Sequence, residues 1–171
     1  MWVWTLNWGE IRSELVIGSC PVGPSDIDRI HDETSVTAVL SLQTDDCRAA
    51  LGIDYGALAE RASSRGLLLL NTPIRDFDAD DQRKRLPTAV EALSELLTRG
   101  HRIYVHCTAG INRAPLVVLA YLTFVEGVAV PDAMSLIERG RPEARPYWDA
   151  YYACREDMLR SHGTRATLEI D

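Results

Sequence analysis

Eight residues from His106 to Arg113, reading His-Cys-Thr-Ala-Gly-Ile-Asn-Arg, join two apolar runs of the chain. The run before them, 102–105, is short and rich in residues that favour strands, and the run after them, 114–125, is apolar almost throughout. A short run of this kind favours a buried strand, and the longer one favours a buried helix. We therefore predict a strand that passes through a tight loop into the N-terminus of a helix.

This predicted geometry constrains the chemistry of the loop. Backbone N–H groups and the positive end of a helix dipole converge there and favour an anion. Cys107 in such a loop would have a stabilised thiolate and could act as a nucleophile near neutral pH. Arg113 offers a planar guanidinium that matches two phosphate oxygens. The backbone groups predicted to complete a phosphate cradle belong to Thr108, Ala109, Gly110, Ile111 and Asn112.

The spacing His-Cys-x-x-Gly-x-x-Arg is a specific signal, because four fixed residues arise by chance on the order of 10⁻⁶ per position. One alternative is a buried structural cysteine, and a second is a sulfur-transfer enzyme of the rhodanese kind. A third is a phosphate-binding module without activity. A metal site is disfavoured, since His106 and Cys107 are adjacent and would point to opposite faces of a strand. The predicted chemistry needs no metal and no cofactor.

The rest of the chain predicts strands that alternate with helices. The predicted strands are residues 15–17, 36–42, 67–70 and 102–106, the third being a run of leucines expected at the centre of the sheet. The predicted helices start at caps on Ser25 or Asp26 and on Asp54, and continue with 86–99, where Pro87 fits the first turn, 113–127, 131–139 and 147–161. The alternation implies a single-domain α/β fold, a central, mostly parallel sheet flanked by helices, with ligands at the carboxyl ends of the strands.

The loop resembles the signature of the Cys-(x)5-Arg protein tyrosine phosphatase superfamily, and the chain resembles its compact dual-specificity branch. The resemblance runs from about Leu6 to Leu159, strongest for the plant starch-excess-type glucan phosphatases and more remote for laforin. The stretches that carry it are residues 15–19, 25–28, 42–43, 52–54, 76–78, 106–110 and 113–115. It implies the fold of a dual-specificity phosphatase and hydrolysis of phosphomonoesters through a phosphocysteine intermediate.

Such a reaction needs an acid on a separate loop that protonates the leaving oxygen. The strand predicted at 67–70 leads into the turn-rich segment 71–78, and the family's acid falls on the aspartate before its phenylalanine, which is Asp76. Asp78 is the second choice. The resemblance gives His106 an orienting role in the loop and a part in lowering the pKa of the thiol. The aspartates expected to be solvated near the next helix start are Asp80 and Asp81.

The substrate is the least constrained prediction. The main hypothesis is phosphotyrosine, phosphoserine and phosphothreonine in proteins, and the alternative is a phosphoglucan. The plant enzymes surround their pocket with aromatic side chains, of which Phe77 keeps one. Residues 50–51 read Ala-Leu where those enzymes carry paired aromatics, and Asn112 replaces a glycine. One of the aromatics at 147–148 could compensate. Small or lipid phosphates are a further possibility.

Composition sets the remaining limits. The chain has 171 residues and a formal net charge of −7, which disfavours nucleic acid and anionic membranes as partners. Its length suits one domain, which we place at 1–163 with a C-terminal tail at 164–171. The alternating aromatics Trp2, Trp4 and Trp8 suit one packed strand face. We expect a monomer.

The four cysteines, Cys20, Cys47, Cys107 and Cys154, are widely spaced and fit no zinc pattern. A reactive thiolate favours a reducing compartment, and the first residues do not resemble a signal peptide, so we expect the cytoplasm. The plant relatives with a redox switch carry a second cysteine at the position of Ser41. Here Cys47 is the hypothetical substitute.

Overall fold

The computed structural model describes residues 4–168, and side chains are described as far as Arg160. The strands are β1 Trp8–Arg12, β2 Leu15–Gly18, β3 Ala38–Ser41, β4 Leu68–Asn71 and β5 Ile103–His106. They form one sheet in the order β1-β2-β5-β3-β4, in which β1 is antiparallel to β2 and the other neighbours are parallel. The predicted α/β fold with a mostly parallel sheet is confirmed.

Helices cover both faces of this sheet. They are α1 Pro24–Thr34, α2 Asp45–Ala50, α3 Tyr55–Ser64, α4 Ala79–Thr98, α5 Arg113–Ala120, α6 Val130–Gly140 and α7 Trp148–Leu168, and a π-helical turn, Tyr121–Val125, follows α5. Alternate side chains of a strand point to opposite faces, so each strand contributes to two cores. Val105 of β5 packs in the larger core with α4 to α7, and Tyr104 packs in the smaller core with α1 and α3.

Strand β5 lies at the centre of the sheet, and every one of its residues is buried. It ends at the sheet edge where β3 and β4 also end, because the register pairs His106 with Ser41 and Ser41 with Asn71. The loops that follow these three strands therefore share one edge, where parallel sheets bind ligands. This edge carries the predicted loop of residues 106–113.

Two predictions about individual elements are wrong. The leucine strand is β4, which lies at the edge of the sheet, and Leu68 is 37% exposed. Helix α4 begins at Ala79, because the carboxylate of Asp78 accepts a hydrogen bond from the N–H of Asp81. Pro87 consequently lies inside the helix instead of in its first turn.

The ends of the chain show smaller differences. The N-cap predicted at Ser25 or Asp26 is wrong, because helix α1 begins at Pro24 with Gly23 as its N-cap. Asp26 instead accepts a hydrogen bond from Val22 N–H from within the first turn. Helix α7 continues to Leu168, past the predicted end at residue 161. Trp2 and the end of the predicted tail, 169–171, lie outside the described residues, and the bounds of the domain stay a prediction. In the described part of the chain, no helix combines the length and apolarity needed to cross a membrane.

Candidate active site

Cys107 lies directly after the central strand β5, and helix α5 begins at Arg113 with Asn112 in the cap position. The predicted order of strand, tight loop and helix is therefore present. Cys107 is 3% exposed. The first turn of α5 directs unsatisfied N–H groups and the positive end of the helix dipole toward the loop.

Arg141, at the end of α6, holds this loop from behind. Its side chain is buried, its Nη2 donates to the carbonyl of Ala109 at 2.8 Å, and its Nε donates to the carbonyl of Gly110 at 3.2 Å. In a trans peptide the C=O and the next N–H point in opposite directions. Arg141 therefore turns two carbonyls outward and the following N–H groups toward the inside of the loop.

The neighbouring carbonyls are held in the same way. The backbone N–H of Cys20 donates to the carbonyl of Thr108 at 2.9 Å, and the N–H of Arg145 donates to the carbonyl of Ile111 at 2.7 Å. With the two carbonyls bound by Arg141, four consecutive carbonyls accept hydrogen bonds from outside the loop. The N–H groups that follow them are thereby left free to face the inside of the loop, which is what the predicted anion cradle requires.

Gly110 is required by this arrangement. Its φ of 71° lies in the left-handed region, and a Cβ at this position would lie 2.4 Å from the carbonyl oxygen of Gly18. Any larger side chain would clash with the backbone of β2. The loop is therefore packed directly against the end of a neighbouring strand.

Arg113 connects the cradle to the loop after β4. Its side chain is 1% exposed, its Nη1 donates to the carbonyl of Ile74 at 2.9 Å, and its Nη2 lies 3.1 Å from Asp76 Oδ2 and 3.2 Å from Thr108 Oγ1. Among the described residues, its Nε is buried without a hydrogen-bond partner. A buried donor of a charged group without an acceptor is costly, and an oxyanion in the cradle would satisfy it.

Of the two aspartates predicted as the acid, Asp76 lies at the site and Asp78 lies at the start of α4. Asp76 lies in a turn with one carboxylate oxygen on Arg113, and the other accepts a hydrogen bond from Tyr147 Oη at 2.6 Å. Asp78 caps α4.

The predicted solvation of Asp81 is wrong, since it is half-buried and accepts hydrogen bonds from the Arg75 N–H and from Arg85. Asp80 is exposed, as predicted.

Phe77 extends from the same turn into solvent. It has a φ of 57°, which residues other than glycine rarely adopt, and it is 86% exposed. Its ring meets that of Tyr147 edge-on, with the centroids 6.4 Å apart. The two rings and Trp148 line part of an open groove of about 380 Å³ beside Asp76.

His106 is buried, and its Nδ1 lies 2.9 Å from the carbonyl oxygen of Cys107. Burial lowers the pKa of His106 to about 4, so the ring is neutral near pH 7 and donates from Nδ1 to this carbonyl. The contact is suited to the predicted orienting role. A neutral ring does not supply a positive charge that would lower the pKa of the thiol.

Two residues that sequence reasoning did not assign to the site also contact it, Gln43 and Arg141, whereas Tyr147 is one of the two aromatics proposed for the pocket. Gln43 is 1% exposed and donates from Nε2 to Thr108 Oγ1 at 3.1 Å. Its position just after β3 was a usable signal, because β3 and β5 end at the same edge. For Arg141 the sequence carries no comparable signal, since it lies far along the chain at the end of α6.

Cys47 lies 3.4 Å from Arg113 Nη1 and 3.3 Å from Thr44 Oγ1. Burial raises the pKa of Cys47, but the hydrogen bonds from Thr44 and Arg113 outweigh burial and the pKa is lowered. All four cysteines are free thiols, so the redox pairing of Cys47 with Cys107 stays a prediction.

A cysteine in this loop, a buried arginine and a carboxyl group on the neighbouring loop are the groups that a phosphatase-type site would need. The sequence profile described as "Dual specificity phosphatase, catalytic domain" matches residues 25–150. The chain belongs to this family. The predicted class, a phosphatase of the dual-specificity branch, is confirmed.

Individual curated proteins and solved structures are also similar to this chain. An amyloplastic phosphoglucan phosphatase of Castanea sativa is 36% identical over 90% of this chain and 41% of its own length. Laforin of Mus musculus is 27% identical over 92% of this chain and 51% of its own length. The crystal structure of PTPMT1 superposes with a TM-score of 0.70 at 18% identity, covering 94% of this chain and 99% of the other. The chain thus spans about half or less of the length of these two curated relatives.

Proposed function

We propose that this chain is a cysteine-dependent phosphomonoester hydrolase that works through a phosphocysteine intermediate. The observation that carries the proposal is the position of Arg113. One buried guanidinium contacts Thr108 in the cradle and Asp76 on the opposite loop, and retains a donor, Nε, without an acceptor among the described residues. A phosphate group held on this arginine would lie between a thiolate and an acid.

In the first step, the Cys107 thiolate attacks phosphorus in line with the leaving oxygen. The S–P bond forms, and the P–O bond breaks with its electron pair on the departing oxygen. Asp76 transfers its proton to that oxygen and becomes a carboxylate. Arg113 and the cradle N–H groups hold the remaining phosphoryl oxygens, which is electrostatic preorganisation.

In the second step, water hydrolyses the phosphocysteine. Asp76 accepts a proton from the water while its oxygen attacks phosphorus, and the S–P bond breaks with its electron pair on Cys107. Inorganic phosphate leaves and the thiolate is restored. The same carboxyl group acts first as an acid and then as a base, as general acid–base catalysis permits.

For the substrate, we propose phosphotyrosine, phosphoserine and phosphothreonine side chains of proteins. The open groove lined by Phe77, Tyr147 and Trp148 lies next to the turn of Asp76 and would hold the polypeptide that flanks a phosphorylated side chain. Residues 50–51 end α2 without an aromatic side chain. A second candidate is a phosphoglucan, because the Castanea sativa relative is named a phosphoglucan phosphatase and Phe77 offers an exposed ring on which a sugar could stack.

The reaction is tested by phosphate release from an aryl phosphate and by trapping the enzyme in acid during turnover. We expect the phosphocysteine in the wild type. Cys107→Ser and Arg113→Ala should reduce release to background, whereas Cys154→Ser, which alters a buried cysteine of α7, should keep it. An active Cys107→Ser protein would contradict the mechanism.

The substrate is tested by comparing phosphate release from phosphotyrosine and phosphothreonine peptides with release from solubilised amylopectin. Rates on the peptides above those on the glucan support a protein substrate. The reverse order supports the second candidate.

Because the mechanism requires reduced Cys107, we place the protein in a reducing compartment, the cytoplasm.

A further inference from the structure

Tyr147 contacts the proposed acid directly. Its hydroxyl donates to Asp76 Oδ1 at 2.6 Å, a distance typical of a charge-assisted O–H hydrogen bond. The other carboxylate oxygen of Asp76, Oδ2, lies 3.1 Å from Arg113 Nη2. The two oxygens of Asp76 therefore have different partners, and only Oδ2 faces the guanidinium that would hold the phosphate.

The position of Tyr147 is fixed by the start of helix α7. Its carbonyl accepts a hydrogen bond from the N–H of Tyr151 at 3.0 Å, and Pro146 before it is buried. Its ring packs edge-on against Phe77. Burial, and then the hydrogen bond to Asp76, raise the pKa of Tyr147. The hydroxyl therefore stays protonated and able to donate over the pH range in which a general acid acts.

We propose that Tyr147 is the positioning residue of the general acid: by donating to Oδ1 it makes Oδ2 the oxygen that carries the proton. This inference rests on the proposed function. A carboxyl group can bear its proton on either oxygen, and rotation exchanges their positions. A donor fixed on Oδ1 favours the form in which Oδ1 is the carbonyl oxygen and Oδ2 bears hydrogen.

The contact with Arg113 determines which oxygen of Asp76 faces the phosphate. When a phosphate group enters the cradle, its oxygens become acceptors for Arg113, and Oδ2 is released from the guanidinium. Tyr147 does not contact the cradle through its hydroxyl, so its hydrogen bond to Oδ1 remains. Oδ2 then faces the phosphate, and its proton can pass to the leaving oxygen. Phe77, in its left-handed conformation, completes the turn that presents Asp76 between Arg113 and Tyr147.

The test is the dependence of rate on the leaving group in Tyr147→Phe, which removes only the hydroxyl. A p-nitrophenyl ester departs without needing a proton, whereas phenyl and alkyl phosphates require one. We expect kcat/KM to fall about 10-fold or more for phenyl phosphate and phosphothreonine peptide, and less than about 3-fold for the p-nitrophenyl ester. The matched control is Tyr152→Phe on α7, whose half-exposed ring stacks on Trp148, and it should leave all rates unchanged.

A double variant completes the experiment. In an Asp76→Asn background, Tyr147→Phe should have no further effect on any ester, because the proton that it positions is gone. An equal loss for all leaving groups, or a loss that adds to that of Asp76→Asn, would overturn the proposal. Failure of the proposed function would look different, since the wild type itself would then form no phosphocysteine.

Discussion

The loop of residues 106–113 and the loop of residues 72–78 follow parallel strands at one sheet edge, yet they are built differently. In the first, four consecutive carbonyls are bound from outside, and Cys107 and Arg113 are buried. In the second, Asp76 is held through its two carboxylate oxygens and the next residue, Phe77, is almost fully exposed. One loop is part of the core, and the other is attached to it at a few points.

The difference follows from what each loop has to do. An anion cradle lowers a barrier only if its dipoles are oriented before the substrate arrives, so its backbone must be fixed by the fold. An acid must exchange its contact with Arg113 for one with the leaving oxygen. We therefore expect changes behind the cradle to alter stability and rate together, and changes in the acid loop to separate the two quantities.

The largest effect is expected for Arg141→Met, which keeps the buried aliphatic stem and removes the donors to Ala109 and Gly110. One buried and one partly buried carbonyl lose their partners, so the free energy of unfolding should fall by about 3 kcal/mol and phosphatase activity should fall with it. Urea denaturation and kcat/KM measure the two quantities.

Arg145→Met is the matched control for this prediction. The Arg145 side chain donates only to carbonyls of its own segment, Pro142 and Ala144, while its backbone N–H still reaches Ile111. This variant should resemble the wild type in both measurements. An Arg141→Met protein that is unstable but fully active would show that the cradle does not depend on its outer contacts.

Asp76→Asn should separate rate from stability. We expect kcat for phenyl phosphate to fall roughly 10²-fold or more, since the general acid is lost, while the urea midpoint stays near that of the wild type. Inorganic phosphate should inhibit more strongly, because a carboxylate no longer competes with it for Arg113. Asp78→Asn is the control, because asparagine also caps helices well and α4 should be unaffected. Unchanged phosphate inhibition in Asp76→Asn would contradict the contact with Arg113.

The same contrast explains what the sequence could predict. The cradle is a contiguous segment whose strand, loop and helix are encoded side by side, so Cys107, Gly110 and Arg113 could be identified before the structure. Arg141 contacts the cradle and Tyr147 contacts Asp76 from a distant part of the chain, and no local pattern predicts either hydrogen bond. Their contacts arise only when α6 and α7 pack against the sheet.

Errors in the predicted fold have the same origin. A run of leucines indicates burial, but not whether a strand has one neighbour or two, so β4 was predicted at the centre and lies at the edge. The predicted start of α4 at Leu86 rests on the local preference of Pro87 for a first turn. Asp78 provides an earlier cap, and the helix tolerates the proline inside.

His106 makes the stability of the fold depend on pH. Its pKa is about 4 in the fold because of burial, against an ordinary value near 6.5. Between these values the unfolded chain binds a proton that the folded protein does not, so stability decreases as the pH falls from about 6.5 towards 4. The total loss should be about 3 kcal/mol. Urea denaturation across this range, compared with His106→Asn, should show a flatter dependence in the variant. Equal slopes would contradict a buried neutral ring.

The smallest expected effect lies in the acid loop, at Phe77. Its positive φ costs about 1 kcal/mol for any residue with a side chain, so Phe77→Gly should be about 1 kcal/mol more stable than Phe77→Ala. Ser35, with a φ of 58° at the end of α1, is the matched position. Ser35→Gly should be more stable than Ser35→Ala by a similar amount. The two glycine variants should differ in rate: Phe77→Gly frees the turn that carries Asp76 and lowers kcat several-fold, whereas Ser35→Gly leaves kcat unchanged. If Phe77→Gly kept full activity, backbone strain in the loop of residues 72–78 would have no part in positioning Asp76. The contacts of Asp76 with Arg113 and Tyr147 would then be enough to hold it.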